Sequence, residues 1–347
     1  MAAIVCNETR NSGQEPQLIY AITLPLSTVI ILANLIIILG IACSRQLHNP
    51  SNYMYLSLLV ADLCMGIALP FIPWMSLVRP LSFSSCLLVH IFPNFLFLAF
   101  IFNLVLVHYE RYLSIVCPLV PGHFWSRSRF IPALLAVWLL PLLYALLPAF
   151  GWNNWEVHGR VTNKTVHSSY PMTMPKDNCC TYRSVFPDTF IYLEVCGLLV
   201  PAMLSIAVMT GRVLWITRGQ IRHIQRQQSA VTTAERRRKM EIRYARCVAT
   251  VSLSFLACWL PYIVYTHICM AFLLSREARV NHTGHIVLSG TGVGGMAAMP
   301  ILLGLANRQY TEPARSLLRK LWHRWHITQR QSDVVNLRVF HSNTGDW

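Results

Sequence analysis

The sequence predicts an all-α membrane protein, a seven-transmembrane helix bundle with its N-terminus outside. Three observations carry that prediction: too few charges, seven long apolar runs, and a basic bias that alternates between the connecting loops. Of the 347 residues, 54% are hydrophobic and 12% charged, against about 25% charged in a soluble domain. The deficit implies a surface that faces lipid. A net charge of +15 would point a soluble protein toward nucleic acid. Here the position of the charges along the chain accounts for it, and no nucleic acid is expected. Eleven cysteines stand without CxxC or Cys/His metal spacing, so no metal or cofactor is expected.

The apolar runs lie at about 18–43, 52–78, 86–117, 130–150, 188–215, 245–274 and 284–306. At 1.5 Å per residue each is long enough to cross roughly 30 Å of hydrocarbon. They divide the chain into an outer segment at 1–17, a spanning domain at 18–306, and a cytoplasmic amphipathic helix and tail at 307–347. Residues 1–17 show no signal-peptide pattern, so the first helix is expected to act as its own insertion signal. Connections are short apart from 151–187 and the strongly basic 216–244.

Lys and Arg orient the bundle. The N-terminus and the loops at 79–84, 151–187 and 275–283 carry eight, while 44–51, 118–129, 216–246 and 307–347 carry nineteen. The excess places the second set inside. Glycosylation sequons agree: those at Asn7, Asn163 and Asn281 all fall outside, and the inner Asn49-Pro50-Ser51 is barred by its proline. Asn7 and Asn163 are the expected glycosylation sites.

The third run starts near Cys86 and ends in Glu110-Arg111-Tyr112. Cys86 and Arg111 lie about 37 Å apart on one helix, so each sits near one membrane face. An ion pair there is costly and usually has a function. Snorkelling into the headgroups is the plainer role. Asn34 marks helix one, and Asp62 is a lone carboxylate near mid-bilayer in helix two. Trp138 marks helix four. Pro201, Pro261 (within Cys258-Trp259-Leu260-Pro261) and Pro300 interrupt backbone hydrogen bonding in helices five, six and seven, which lets them bend. Cys86 needs a partner outside, which Cys179 or Cys180 supplies. Leu317, Leu318, Leu321, Trp322 and Trp325, interleaved with Arg315, Arg319, Lys320 and Arg324, form a basic amphipathic eighth helix suited to the inner leaflet.

This set, in order and at the right depths, resembles the rhodopsin-like family of G-protein-coupled receptors over nearly the whole chain. The resemblance implies a plasma-membrane receptor in which Glu110, Arg111 and Tyr112 serve a heterotrimeric G protein. It also implies that Asp62 lies at an ion-and-water site and that Cys86 bonds Cys180. Trp259 is placed to feel a ligand above it and tilt the lower half of helix six. Two features depart from the family. Its usual Asn-Pro-x-x-Tyr reads Met299-Pro300-Ile301-Leu302-Leu303, and no cysteine follows Cys269 to carry a lipid anchor.

By the same resemblance the ligand pocket lies among the outer halves of helices three, five, six and seven. Pro93 stands where amine receptors carry an aspartate, and Val293 where visual pigments carry a lysine, so both ligand classes are excluded. His90, Asn94 and Phe97 share one face of helix three at i, i+4 and i+7, and Trp259, Tyr262 and Thr266 stack similarly on helix six. Glu194 is the main charged candidate. An apolar cavity with a few polar anchors suits a sterol or lipid-like ligand bearing a hydroxyl. Interhelical hydrogen bonding is the plainer role for His90 and Asn94.

Within the family, HIFPNFLFLAFIFNLVLVHYERYLSIVCPL, LLPAFGWNNW, FPDTFIYLEVCGLLVPA and CWLPY resemble the bile-acid-sensing branch, as do the Gly151-Trp152-Asn153 turn and the Met299-Pro300 departure. That resemblance implies that Asn94, Glu194 and Tyr262 anchor a steroid hydroxyl and that the partner is the stimulatory G protein. His90 replaces a tyrosine, Cys269 replaces a serine, and the 151–187 loop is longer. A lysolipid or neurosteroid ligand would fit these departures. Transport would need a polar path, and Asp62, Glu110-Arg111 and Glu194 do not line up into one. With no HExxH, paired carboxylates or Ser/His/Asp set, no enzyme is expected.

Overall fold

A computed structural model of the chain describes residues 14–71, 82–116, 127–155, 180, 185–226, 249, 252–265, 267–268 and 282–306, with scattered positions between 312 and 326. The described residues contain helices and no strand. They are α1 (Gln14–Cys43), α2 (Pro50–Ala68), α3 (Phe83–Val116), α4 (Arg127–Ala145), α5, α6 (Ser252–Tyr265) and α7 (His282–Ala306). α5 runs from Asp188–Tyr192 through a π-helical turn, Leu193–Leu199, into Val200–Arg226. The helices α1 to α5 are each apolar and long enough for a full crossing.

Several boundaries differ from the hydropathy reading: α2 ends at Ala68 and α4 at Ala145. α1 begins at Gln14 rather than 18, and α5 continues to Arg226 rather than ending near 215. Hydropathy sees the end of the apolar run, but a helix does not stop where its surroundings turn to water. Arg and Gln are good helix formers, and they keep the ladder going beyond the lipid. The basic 216–244 segment therefore begins as helix. The π turn was also not foreseen. Pro201 lacks an N–H for the carbonyl four residues back and its ring crowds that carbonyl. The wider turn directly before it is a standard accommodation.

Local chemistry sets other ends. Asn49 caps α2, its side chain accepting from the Asn52 N–H at 2.9 Å, with Pro50 in the first turn where no N–H is needed. After α4, the turn Leu147–Phe150 closes on Gly151 at φ 107°, a left-handed conformation that suits glycine.

α3 occupies the middle of the bundle. Leu96, Phe100, Ile101, Leu104 and Val107 pack with Leu58 and Met65 of α2, Met203 and Ile206 of α5, Phe255 and Trp259 of α6, and Met296 and Met299 of α7. Leu32, Leu135, Leu143, Leu204 and Val208 instead lie exposed on the outside, as lipid-facing residues should. A polar chain crosses three helices. The Trp138 indole donates to Ser57 at 2.9 Å, Ser57 donates to Asn103 Oδ1 at 2.7 Å, and Asn103 donates to the Ala99 carbonyl at 2.8 Å.

Ser57→Ala should strand both Asn103 Oδ1 and the Trp138 N–H. Leaving buried polar groups without partners costs about 1–3 kcal/mol. Thermal unfolding in micelles should show a lower midpoint for Ser57→Ala, whereas truncating a lipid-facing residue such as Leu143 should leave it unmoved.

Candidate functional site

The outer end of α3 is held by the Cys86–Cys180 disulfide, with Cα atoms 5.6 Å apart. Around it Val185, Phe186 and Phe190 are fully buried, and Tyr144 stacks on Phe190 at 4.7 Å while donating to its carbonyl at 3.0 Å. This apolar cluster fixes the start of α5 against α3 and α4. Cys179, the other candidate partner, lies outside the described residues. His90 sits beneath the disulfide. Its Nδ1–H donates to the Cys86 carbonyl at 2.9 Å, and its ring meets the Phe186 ring edge-on at 6.5 Å.

One turn deeper, Asn94 donates to Glu194 Oε2 at 3.1 Å, joining α3 to the π turn of α5. Glu194 is 8% exposed. Next comes an aromatic layer: Phe97 lies 4.9 Å from Trp259, Tyr262 meets Trp259 edge-on at 5.6 Å, and Phe255 lies 6.0 Å below it. The structure thus brings His90, Asn94, Phe97, Glu194, Trp259 and Tyr262 onto three neighbouring levels between α3, α5 and α6. Thr266 lies outside the described residues.

α7 closes this layer through Gly292. A Cβ there would lie 2.9 Å from the Trp259 ring carbons. The glycine lets the backbone of α7 approach the indole face, a packing need rather than a conformational one.

At the inner end, Glu110 Oε2 pairs with Arg111 Nε at 3.0 Å, with Glu110 2% exposed and Arg111 17%. Ser51 of α2 and Ser114 of α3 both donate to Glu110 Oε1. Tyr112 is half-buried beside them. One turn above, His108 donates to the Leu104 carbonyl at 2.7 Å, and its Nε2 meets Ser252 Oγ of α6. The ion pair therefore sits where α2 meets α3, and α6 touches α3 nearby through His108.

Asp62 is buried, and Asn34 donates to its Oδ2 at 2.8 Å. A cavity of about 10 Å³ adjoins it, lined by Tyr55, Leu58, Leu59, Asp62, Phe100, Met299 and Pro300. That volume suits about one water. A hard cation takes several oxygen ligands, and only Asp62 and Tyr55 bring side-chain oxygens to this wall. The described donor set fits a water better than an ion.

The comparisons with known proteins bear on this arrangement. Residues 33–291 match the family model described as 7 transmembrane receptor (rhodopsin family). The chain belongs to that family. The receptor is 36% identical to the G-protein coupled bile acid receptor 1 of Oryctolagus cuniculus over 312 residues, 89% of this chain and 87% of that one. It is 36% identical to the Homo sapiens protein of the same name over 311 residues, 87% of each chain. A more distant relative, the adenosine receptor A2b of Rattus norvegicus, is 29% identical over 252 residues, 70% of this chain and 72% of that one. The protein is accordingly a multi-pass plasma-membrane receptor and not an enzyme, and its partners are a ligand and a G protein.

Sequence reasoning missed Ser51, Ser57, Asn103, His108, Ser252 and Gly292. Ser57, Asn103 and His108 were visible as polar residues in apolar runs, which signals an interhelical contact but not its partner, while Ser51 lay in the inner loop at 44–51. Gly292 looked like any other small residue of helix seven.

Gly292→Ala should overpack the Trp259 contact and destabilise the receptor by about 1–3 kcal/mol. Shortening the partner should relieve it, so Gly292→Ala on a Trp259→Leu background should cost less than on the wild type. Strictly additive shifts in thermal midpoint across that cycle would mean the two residues do not touch.

Proposed function

We propose that this receptor detects a bile acid or related steroid amphiphile from the outer side and activates the stimulatory G protein, raising cyclic AMP. The observation that carries the proposal is 36% identity, across 89% of the chain, to a receptor whose name states that ligand. The geometry supports it. Asn94 and Glu194 form a polar pair directly above the apolar faces of Phe97 and Trp259. A rigid steroid with a hydroxyl at one end would lay its rings on the aromatic layer and exchange hydrogen bonds with Asn94, Glu194 and Tyr262. His90 and Thr266 complete the proposed lining.

Signal transfer in this reading runs through Trp259, which lies just before Pro261. A ligand pressing on the indole favours one bend of α6 over another. The inner end of α6 then parts from α3, separating Ser252 from His108 and opening a groove floored by Glu110, Arg111 and Tyr112. Arg111 is thereby released to a G-protein helix. Ligand drives this only through its differential affinity for the open state. The basic eighth helix rests on inner-leaflet lipid in the same picture, and Asn7 and Asn163 carry glycans outside. All three lie wholly or mostly beyond the described residues.

Cyclic-AMP accumulation in transfected cells, screened against bile acids, bile alcohols, lysolipids and neurosteroids, tests the ligand class. Tyr262→Phe and Asn94→Ala should each cost an active steroid about 1–3 kcal/mol, roughly 5- to 150-fold in potency, at unchanged surface expression. Equal potency across all three receptors would remove these residues from the pocket.

Coupling is tested separately. By reciprocity, bound stimulatory G protein should raise agonist affinity, and Arg111→Ala should abolish the shift in radioligand binding. A wild-type affinity indifferent to the G protein would refute the coupling. A full shift in Arg111→Ala would refute the role of that arginine.

A further inference from the structure

One contact between α5 and α6 plays no part in the mechanism above. Cys196, on the π turn of α5, places its Sγ 3.3 Å from His267 Nε2, two residues past the outer end of α6. Nδ1 of His267 lies 2.8 Å from the Ile263 carbonyl, which can only accept, so Nδ1 carries the proton. In the neutral ring, Nε2 then presents its lone pair to the thiol. Cys196 is a free cysteine, and both side chains are partly exposed.

These are the features of half a metal site. With Zn–S near 2.3 Å and Zn–N near 2.0–2.1 Å at a tetrahedral angle, the ligand atoms lie about 3.6 Å apart. The observed separation of 3.3 Å therefore needs only a side-chain adjustment to admit an ion. An imidazole whose other nitrogen donates to a backbone carbonyl is the orientation that zinc-bound histidines usually have. Thiolate and imidazole together favour zinc-like ions over magnesium or calcium. The π turn is what aims Cys196 at α6, and such turns concentrate at functional positions.

We propose that Cys196 and His267 bind Zn²⁺ or a chemically similar divalent ion, with water completing its coordination. On binding, the thiol releases its proton to solvent, and S–Zn and N–Zn bonds replace two of the ion's waters. The ion then ties the outer half of α6 to α5. It favours the conformation in which the two side chains face each other, and so acts on the bending of α6 from outside the steroid site.

The test uses the full-length receptor in detergent micelles, with Co²⁺ as spectroscopic probe. Wild type should develop a thiolate-to-cobalt charge-transfer band that saturates at one ion per receptor and is displaced by Zn²⁺. Zn²⁺ should also raise the thermal midpoint. Cys43→Ser should leave both signals in place. Cys196→Ala and His267→Ala should weaken binding at least about tenfold. Cys196→His guards against a folding artefact: it should lose the thiolate band yet keep the Zn²⁺-dependent rise in midpoint. The site is refuted if wild type gives no band, which would leave a thiol–imidazole hydrogen bond alone. It is equally refuted if the band survives in Cys196→Ala, or if Cys196→His no longer responds to Zn²⁺.

Discussion

Every polar side chain that α3 carries through the bilayer has to end on a partner, because hydrocarbon offers no water to satisfy it. Most of them end on another helix. Asn94 reaches α5 through Glu194, Asn103 reaches α2 and α4 through Ser57 and Trp138, His108 reaches α6 through Ser252, and Glu110 reaches α2 through Ser51. His90 bonds back to its own helix beneath the disulfide, as Ser114 does to Glu110 at the inner end. The other helices are placed by where these partners are found. The apolar residues between them make the contacts close, but Leu against Leu is no better than Leu against lipid. The polar pairs set the register.

The ties are uneven, and the unevenness suits a receptor. α2 and α4 are joined to α3 by a continuous chain of hydrogen bonds that cannot open without stranding several groups. α6 meets α3 through the Phe97–Trp259 and Phe100–Phe255 aromatic contacts and the His108–Ser252 pair. Aromatic faces can slide, and one hydrogen bond is quickly replaced. α6 can therefore shift against α3 more easily than α2 or α4 can, and α2, α3 and α4 form a frame. The Cys86–Cys180 bond and the Phe186–Phe190 stack, 4.9 Å between centroids, hold the outer mouth of that frame in place.

The loss of the family's polar pair on helix seven has a structural counterpart. Met299 and Pro300 face the pocket beside Asp62, where they leave a volume near 10 Å³ and contribute no side-chain oxygen. Asp62 accepts instead from Asn34 of α1, through Oδ2 at 2.8 Å. The carboxylate's link thus runs from α2 to α1. On this side α7 is held by methionine packing and by the close approach of Gly292 to Trp259.

The sequence by itself determined the spans, their orientation and the depth of each notable residue. These follow from one-dimensional quantities: run length against bilayer thickness, the count of Lys and Arg per loop, and the distance of Asp62 or Arg111 from a helix end. It also marked where polar contacts were to be expected, since a polar group in a membrane helix is conspicuous whatever its partner. Pairing was decided only by the tertiary structure. That Asn94 meets Glu194, that Trp138 reaches Asn103 through Ser57, and that Cys196 faces His267 depend on the rotation of each helix about its axis and on a π turn that resets that rotation. Hydropathy is nearly blind to rotation when lipid and protein interior are equally apolar. A soluble helix declares its buried face by contrast with water; here only the bonds themselves show which way each helix is turned.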